Sequence, residues 1–423
     1  MYQVPRGTRD FTPKEMKIRR YIEEEMIKTF TTYGYCEVQT PIFENLELFT
    51  AKSGDSIIDE IYDFSDKSGR KLALRPELTA PVIRFYVEKL QMEPKPLKLY
   101  YFGNCFRYDR PQKGRYREFK QAGCELIGVN TPEAHAELIA LAYNLLKNIG
   151  LKNITLNIGN LTIIDSIFNI LNLSQEDKKD LLPLIDKSRY EEIYETLSNK
   201  AINNETINNI IEILQKSDIK KLEEVICNDQ TAMDELQRLK QLIHLLQKCF
   251  HLKQLKLDMS IVRGLDYYKG IVFEIEAPAL GAEKQLCGGG VYDLVGLFGG
   301  RDTPTAGFAI GIDRTILALE AEKFQFPTVT TDVCIIPYSN EMIEKSIEIA
   351  QQLRQHSIIT EIDLLNRGIG KALKHANSKH CKTVLIIGPN ELEKDSVALR
   401  NMLTGEQQLI KINQLIPTLQ KTN

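Results

Sequence analysis

Apolar residues recur at helical spacing near the amino-terminal end of the chain. Ile18, Ile22, Met26 and Phe30 lie four positions apart, which places them on one stripe of an α-helix. Gly34 follows the last of them, and glycine commonly ends a helix because it accepts a positive φ. The pattern therefore predicts an amphipathic helix that ends near Gly34.

Two strand-like runs come next, separated by a charged segment. Residues 98–102 and 121–127 are dominated by apolar and aromatic side chains, as expected for strands. Two strands joined by a charged connection of about ten residues are typical of a long antiparallel hairpin. The first 165 residues therefore combine helix and strand signals.

The composition changes between residues 174 and 255, where Leu, Ile, Lys, Glu, Asn and Gln dominate. Ser174 and Asp177 have the spacing of a capping box, which begins a helix. Further on, one helical face is formed by Leu236, Leu239, Ile243, Leu246 and Phe250. Glycine and β-branched residues return between 261 and 320. We interpret the intervening stretch as a helical insertion between two pieces of one sheet domain.

The pattern changes again near residue 327. Residues 332–337 and 359–363 have strand character with a helical period between them, and a further helix precedes the strand-like run 383–388. Alternation of this kind predicts a separate small α/β domain with a mixed, partly parallel sheet.

Together these patterns predict an α/β protein. The main domain is expected to combine helices with the antiparallel strands of the long hairpin. The predicted boundaries are 1–170 for its first part, 171–255 for the insertion, 256–326 for its second part and 327–423 for the last domain. A chain of 423 residues agrees with several domains, since single cores rarely exceed about 300 residues.

Composition and charge exclude several classes of protein. Apolar residues make up 43% and charged residues 26%, and the formal net charge is −3, so any nucleic-acid contact must come from a local patch. The eight cysteines include no Cys-x-x-Cys pair, so we expect neither a zinc site nor a dithiol motif, and no metal ligands. Because the sequence shows no signal segment and no run that could span a bilayer, we expect a soluble, cytoplasmic protein.

The connection between the two predicted strands is strongly basic. Residues 107–120 hold six Lys or Arg against two acids, a local charge of +4. Guanidinium groups bind phosphate oxygens in a bidentate manner, and aromatic neighbours can hold them in place. ATP phosphate, RNA phosphate or both would suit this loop, although a basic loop can also be a solvated hairpin tip.

Four other segments combine polar side chains with glycine or proline. They are Leu74-Arg-Pro-Glu-Leu-Thr79, Arg263-Gly-Leu-Asp-Tyr-Tyr268, Cys287-Gly-Gly-Gly-Val-Tyr-Asp293 and Gly307-Phe-Ala-Ile-Gly-Ile-Asp-Arg314. Each alone has a plain explanation, because turn carboxylates are usually solvated, strand tyrosines usually pack and glycine triplets are usually flexible turns. A phosphate nest stays open at the glycines, but their spacing is not that of a P-loop, and the Rossmann context is missing.

The order of these segments resembles the class II aminoacyl-tRNA synthetases. Pro41, the Arg75-Pro-Glu77 turn with the basic hairpin, and Arg314 at a strand–helix junction are similar to the three motifs of that class. Within the class, two further segments resemble signatures peculiar to the histidyl-tRNA synthetase family. They are Arg263–Tyr268 and the glycine-rich segment Cys287–Asp293.

This family resemblance extends over essentially the whole chain. It implies an α+β main domain with a mainly antiparallel sheet of about six or more strands flanked by helices. Residues 5–10 and 110–117 are similar to family blocks, and residues 327–423 resemble the anticodon-binding domain. One position departs from the pattern, since the family often has an arginine where this chain has Val291.

The resemblance implies roles for particular side chains. Three arginines would bind ATP, with Arg107 at the α-phosphate and Arg115 and Arg314 at the other phosphates and the adenosine end. The residues implied for histidine are Glu77, Thr79 and Gln121 at its α-amino group, Glu125 and Tyr268 at its imidazole, and Tyr267 or Tyr292 closing the pocket. Arg263 would bridge the histidine carboxylate and the α-phosphate, so Arg263 and Arg107 are the catalytic candidates.

The implied activity is that of a ligase. It would activate L-histidine with ATP and Mg²⁺ and transfer it to histidine tRNA, whose acceptor end would meet Arg110 and Gln112. A homodimer with an interface around residues 37–44 is also implied. One alternative is the synthetase-like regulatory subunit of ATP phosphoribosyltransferase, which usually lacks the anticodon-binding domain. Another is a nucleic-acid-binding protein that keeps the fold without the catalysis.

Overall fold

The chain folds into two compact units, Met1–Phe326 and Pro327–Asn423. The computed structural model describes residues 2–53, 55–112, 114–262, 268–327 and 331–422. The predicted division of the first unit into two pieces and an insertion stays a prediction. None of the helices in the described ranges is long and apolar enough to cross a membrane.

The first unit mixes strands and helices. Its strands, within the described residues, are β1 (Cys36–Glu37), β2 (Phe43–Asn45), β3 (Tyr62–Ser65), β4 (Lys71–Leu74), β5 (Leu97–Phe106), β6 (Glu118–Ile127), β7 (Thr155–Asn160), β8 (Leu255–Leu257), β9 (Tyr268–Glu276), β10 (Gln285–Tyr292) and β11 (Thr305–Gly311). Its helices there are α1 (Pro13–Thr32), α2 (Leu46–Ser53), α3 (Thr79–Phe85), α4 (Pro132–Asn148), α5 (Leu161–Ile170), α6 (Gln175–Asp186), α7 (Tyr190–Ser198), α8 (Asn204–Lys216), α9 (Ile219–Ile226), α10 (Gln230–Lys248) and α11 (Ile312–Ala321).

Eight of the described strands form one sheet, in the order β1-β5-β6-β11-β10-β9-β7-β8. Neighbours are antiparallel except at the two edges, where β1 is parallel to β5 and β7 is parallel to β8. The prediction of a mainly antiparallel sheet is therefore confirmed. So is the long hairpin, since β5 and β6 pair from Leu97 and Ile127 to Phe106 and Glu118. A separate small sheet has the order β2-β4-β3.

Helix α1 confirms the first sequence pattern. A capping box between Thr12 and Glu15 begins it, and it buries Ile22 and Met26 completely. Gly34 lies just after its end with φ +77, where a side chain would be strained.

The two faces of the large sheet differ in what they contact. On β6, Ala122 and Cys124 belong to the main apolar core, together with Phe30 of α1 and Leu141 of α4. Side chains alternate along a strand, so the neighbouring residues 121, 123 and 125 lie on the opposite face. That opposite face carries the candidate site.

Helices α6 to α10 occupy the stretch predicted to be helical. Ser174 and Asp177 form the predicted capping box of α6. On α10, Leu236 and Leu239 are completely buried as expected, whereas Phe250 lies beyond the end of the helix. The apolar period thus located the helix and overran its end.

The second unit is a mixed sheet covered by helices. Its described elements are β12 (Val333–Pro337), α12 (Ile343–Gln355), β13 (Thr360–Ile362), α13 (Ile369–Ser378), β14 (Thr383–Ile387), α14 (Pro389–Leu392), β15 (Ser396–Asn401), β16 (Gln407–Lys411) and α15 (Leu415–Thr422). The strand order is β13-β12-β14-β15-β16, with β12 parallel to both its neighbours and β15 antiparallel to β14. The predicted mixed sheet is confirmed.

Candidate active site

A cavity of about 710 Å³ opens on the face of the large sheet opposite α1 and α4. The predicted site residues that line it are Glu77, Thr79, Arg107, Arg115, Gln121, Tyr268, Tyr292 and Arg314. The fold therefore gathers side chains from the start of α3, the β5–β6 hairpin, β9, β10 and α11. Arg263 and Tyr267 lie outside the described residues, so their roles stay predictions.

Glycines form much of the cavity floor. Gly288 and Gly307 line the cavity, and Gly290 pairs with Gly307 between β10 and β11. A Cβ atom on Gly307 would overlap Glu125 Oε2, and one on Gly290 would come within 3.1 Å of Tyr268 Cδ1. The expectation of a flexible turn or a phosphate nest here is wrong. The glycines lie inside a paired strand, where they leave room for the side chains around them.

Glu125 lies against Gly307 on the same face of the sheet; it is completely buried and is not itself among the residues that line the cavity. Its Oε1 accepts a hydrogen bond from the Tyr101 hydroxyl at 2.8 Å, and its Oε2 accepts one from the Tyr292 hydroxyl. Burial raises the pKa of Glu125 to about 8, although both tyrosine hydrogen bonds act in the opposite direction. Burial also raises the pKa of both phenols well above the ordinary value, so they remain donors. Such a carboxyl group can ionise when a cationic partner arrives and accept a hydrogen bond from it.

Three polar residues surround the approach to Glu125. Glu77 is held by the backbone amides of Thr79, at 2.6 Å, and Ala80, at 3.0 Å, so it is not the solvated turn carboxylate that its sequence context suggests. The Thr79 hydroxyl lies 3.5 Å from that of Tyr101. The side-chain oxygen of Gln121 accepts a hydrogen bond from the Cys105 thiol at 3.2 Å, which fixes the amide's orientation.

The ring of Tyr268 completes this end of the cavity. It packs edge-on against Tyr292, with ring centroids 6.2 Å apart. Both tyrosines line the cavity, and Tyr292 also donates to Glu125. An aromatic wall beside a buried carboxyl group suits a flat, polar ring.

Three arginines line the other end of the cavity. Arg107 donates from Nε to the Pro76 carbonyl at 2.9 Å and lies 5.3 Å from the centroid of the Phe119 ring. Arg115 is more open, with 45% of its side chain exposed and Nε 3.9 Å from an Asp109 oxygen. Burial lowers the pKa of Arg314, which nevertheless stays charged because guanidinium groups do not lose a proton in proteins.

Two predicted site residues lie at the hairpin tip and do not line the cavity. Arg110 and Gln112 are both exposed, and Gln112 forms an isolated bridge with Arg115 that closes the tip. The Gln112 amide also donates to Glu283 Oε1 at 3.1 Å. This places Gln112 at the mouth of the cavity, where it would meet a large ligand.

Sequence reasoning missed a buried ion cluster beside Arg314. Asp313 accepts hydrogen bonds from Arg9 at 2.7 Å, from Arg19, and from the Lys120 backbone at 3.2 Å. The guanidinium group of Arg9 also stacks on the Tyr116 ring at 3.3 Å. The only available signal was the resemblance of residues 5–10 to a family block, which carried no role.

A known protein family matches the part of the chain that forms the cavity. The family model described as histidyl-tRNA synthetase matches residues 7–315, which include every described residue that lines the cavity. The chain belongs to the histidyl-tRNA synthetase family. A second family model, described as an anticodon binding domain, matches residues 332–422. Both pieces of the predicted resemblance are therefore confirmed.

Known proteins resemble the chain over nearly its full length. It is 42% identical over 422 residues to the histidine–tRNA ligase of Methanocaldococcus jannaschii, covering 98% of this chain and 99% of that one. The apo histidyl-tRNA synthetase of S. aureus has a TM-score of 0.74 at 28% identity, covering 99% of this chain and all of that one. A Bacillus halodurans structure described as an ATP phosphoribosyltransferase regulatory subunit/histidyl-tRNA synthetase has a TM-score of 0.77 at 26% identity, covering 89% and 96%.

The one departure from the histidyl-tRNA synthetase pattern has a structural context. Val291 lies on β10 between Gly290 and Tyr292, so its side chain is on the other face of the sheet. It is partly buried and packs against the main apolar core. A valine here therefore contributes to packing and leaves the cavity floor unchanged.

Proposed function

We propose that the chain is a histidine–tRNA ligase. It activates L-histidine with ATP to histidyl-adenylate, releasing pyrophosphate, and then transfers histidine to the 3′ end of histidine tRNA. The observation that carries the proposal is Glu125, a buried carboxyl group that lies against the glycines of a cavity whose other end is lined by arginines. One end of that cavity suits an imidazole ring and the other suits phosphates.

Histidine would enter with its ring towards Glu125. The carboxylate would accept a hydrogen bond from one imidazole nitrogen, and Tyr268 would contact the ring. The α-amino group would lie among Glu77, Thr79 and Gln121, whose oxygens suit an ammonium group. A non-histidine side chain would leave the buried Glu125 network without its partner. Sites of this kind discriminate by about 10⁴ to 10⁵ without proofreading.

ATP would bind at the arginine end, with Arg107 on its α-phosphate and Arg115 and Arg314 on the remaining phosphates and the adenosine end. The histidine carboxylate oxygen attacks the α-phosphorus, and the bond to the pyrophosphate oxygen breaks. This step brings like charges together, so fixed cations have to offset the repulsion. Arg263 would bridge the two reacting groups, and Mg²⁺ would arrive on the ATP phosphates as part of the substrate.

The tRNA would contact both units of the chain. Its acceptor end would reach the hairpin tip, where Arg110 can bind phosphate and the exposed amide of Gln112 can recognise a base edge. Its anticodon would bind the unit 327–423, in keeping with the family model that matches there.

We further propose that the protein acts as a homodimer in the cytoplasm. Near the proposed interface around residues 37–44, Ile42 and Phe43 are 50% and 51% exposed, and Phe64 is 39% exposed. Phe43 and Phe64 are in edge-on contact, with ring centroids 6.1 Å apart, so they form one apolar patch. Contiguous exposed apolar patches mark surfaces that another protein covers.

The regulatory-subunit alternative is not favoured. That group usually lacks the anticodon-binding domain, whereas this chain matches an anticodon-domain model over residues 332–422. The ligase relatives also match over the full length of the chain.

Histidine-dependent exchange of pyrophosphate into ATP tests the proposal. The wild-type protein is expected to support exchange, and Arg263→Ala to reduce it by about a hundredfold or more, since a transition-state cation of this kind contributes about 3 kcal/mol or more. Arg301→Ala, an exposed arginine away from the cavity lining, is the matched control. No exchange by the wild-type protein at saturating substrates would reject the ligase reading.

A further inference from the structure

We infer that Glu283 couples the ATP end of the cavity to the hairpin tip. Its Oε1 accepts a hydrogen bond from Gln112 Nε2 at 3.1 Å, and its Oε2 accepts one from Arg314 Nη2 at 2.6 Å. One carboxylate therefore holds two residues to which the proposed function gives different substrates, tRNA and ATP. The inference rests on that proposed function and adds a positioning residue to it. We call Glu283, with its two partners, the Glu283 latch.

The latch connects Gln112 and Gly114 of the hairpin tip to Glu283 and Arg314 in the cavity lining. Besides Glu283, Arg314 donates to the carbonyl of Gly114 at 3.2 Å and to that of Gln285 at 3.1 Å. Gly114 belongs to the tip, two positions after Gln112. Gln112 and Arg314 thus connect the tip to Glu283 and to the first residue of β10, Gln285.

ATP phosphates and the Glu283 carboxylate compete for the same guanidinium group. Both are anions, so placing them together on Arg314 brings like charges into close contact. The existing ion pair is partly solvated, with 22% of the Arg314 side chain and 35% of the Glu283 side chain exposed. Pairs of this exposure are weak, so a polyphosphate can displace the carboxylate.

Displacement from Arg314 also affects Gln112. The two carboxylate oxygens belong to one rigid group, so a movement that takes Oε2 away from Arg314 also moves Oε1 away from Gln112. ATP binding therefore frees the Gln112 amide for the acceptor end of the tRNA. The latch makes ATP binding favour tRNA binding, and by linkage tRNA binding favours ATP binding.

Glu283→Gln tests the latch, because an amide keeps the size of the side chain and loses the charge. In pyrophosphate exchange, the KM for ATP is expected to fall about fivefold, equivalent to about 1 kcal/mol, with kcat changed less than about twofold. The matched control is Glu276→Gln, which removes a charge from the same cavity lining but from a carboxylate paired with Lys284 at 3.0 Å. The control is expected to shift the KM for ATP by less than about twofold.

The second measurement is tRNA affinity with and without a non-hydrolysable ATP analogue. The analogue is expected to tighten tRNA binding to the wild-type protein about fivefold and to leave Glu283→Gln nearly unchanged. A purely structural role for Glu283 would not produce this loss of ATP dependence.

Three results would overturn the latch. They are a higher KM for ATP in Glu283→Gln, a fall in the KM for ATP of equal size in Glu276→Gln, and a wild-type tRNA affinity that is the same with and without the ATP analogue. The first would mean that Glu283 orients Arg314 for ATP. Direct titration of ATP into each protein separates this from failure of the proposed function, because ATP affinity reports on the latch even if no exchange occurs.

Discussion

The Tyr101 hydroxyl donates its 2.8 Å hydrogen bond to Glu125 across the space that Gly123 leaves open. A Cβ atom on Gly123 would lie 2.7 Å from that hydroxyl oxygen. Tyr101 pairs with Gly123 and Leu99 pairs with Glu125, so the hydrogen bond runs diagonally between β5 and β6. The position of the candidate imidazole-binding carboxylate is therefore fixed by a tyrosine and a glycine together.

Tyr101→Phe is expected to lower kcat/KM for histidine by about tenfold to a hundredfold. The substitution keeps the ring and removes one donor to a carboxylate, a hydrogen bond that contributes about 1.5 to 3 kcal/mol. Pyrophosphate exchange at varied histidine concentration measures it. Tyr100→Phe is the control, because Tyr100 belongs to the core on the opposite face and its ring stacks on Phe30. Equal losses in the two variants would contradict the role of Tyr101.

Glu125→Gln is expected to change how stability depends on pH. The pKa of Glu125 is about 8 in the folded protein, against an ordinary value of 4.5. The folded state therefore binds this proton more tightly than the unfolded state, which favours folding below about pH 4.5. That contribution is lost as the pH rises towards about 8, and the glutamine variant does not titrate.

The free energy of unfolding of Glu125→Gln should therefore increase relative to that of the wild-type protein as the pH rises from about 5 to 8. The gain is expected to be about 3 to 5 kcal/mol, since each pKa unit corresponds to about 1.4 kcal/mol. Urea unfolding at a series of pH values, without histidine, measures the difference. A difference that stays constant across this window would disprove the raised pKa.

Gly307→Ala is expected to abolish histidine activation, with a loss above about a hundredfold in kcat/KM. Its Cβ would overlap Glu125 Oε2 in a paired strand, and overpacking of this kind also costs about 1 to 3 kcal/mol of stability. Gly296→Ala is the control, since the nearest atom to its Cβ would be 3.9 Å away. Exchange assays and thermal unfolding measure the two effects. Near-normal exchange in Gly307→Ala would mean that the residues around position 307 can shift to make room for the added methyl group.

Asp313→Ala is expected to destabilise the protein by about 3 kcal/mol or more and to raise the KM for ATP. Only 6% of the Arg19 side chain is exposed, so the substitution leaves a buried charge without its carboxylate. It also removes the anchor at the start of α11, next to Arg314. Asp293→Ala, which breaks an exposed pair with Lys269, is expected to cost less than about 1 kcal/mol. Similar costs in denaturant unfolding would argue against the buried cluster.

Local patterns predicted the elements of the fold well. The four-residue apolar period of α1 and the two runs that became β5 and β6 depend only on neighbouring residues, so one sequence suffices to find them. The family resemblance supplied the roles of Glu77, Arg107 and Gln121. All three side chains line the cavity, and their roles stay predictions.

Contacts between distant segments could not be predicted in this way. The glycines of β10 looked like a turn because their role depends on pairing with β11 and on Glu125 of β6. Likewise, nothing near Asp313 in the sequence indicates that Arg9 and Arg19 are its partners.

The order of strands in the large sheet has a consequence for synthesis on the ribosome. Strand β6 pairs with β11, which leaves the ribosome long after the β5–β6 hairpin and after all the helices α4 to α10. Until β10 and β11 emerge, the hairpin has one unpaired edge, and unpaired edges can join those of other chains. The glycine floor is thus the last part of the sheet to be translated, and a chain stalled before residue 305 would have an open edge in place of a complete cavity floor.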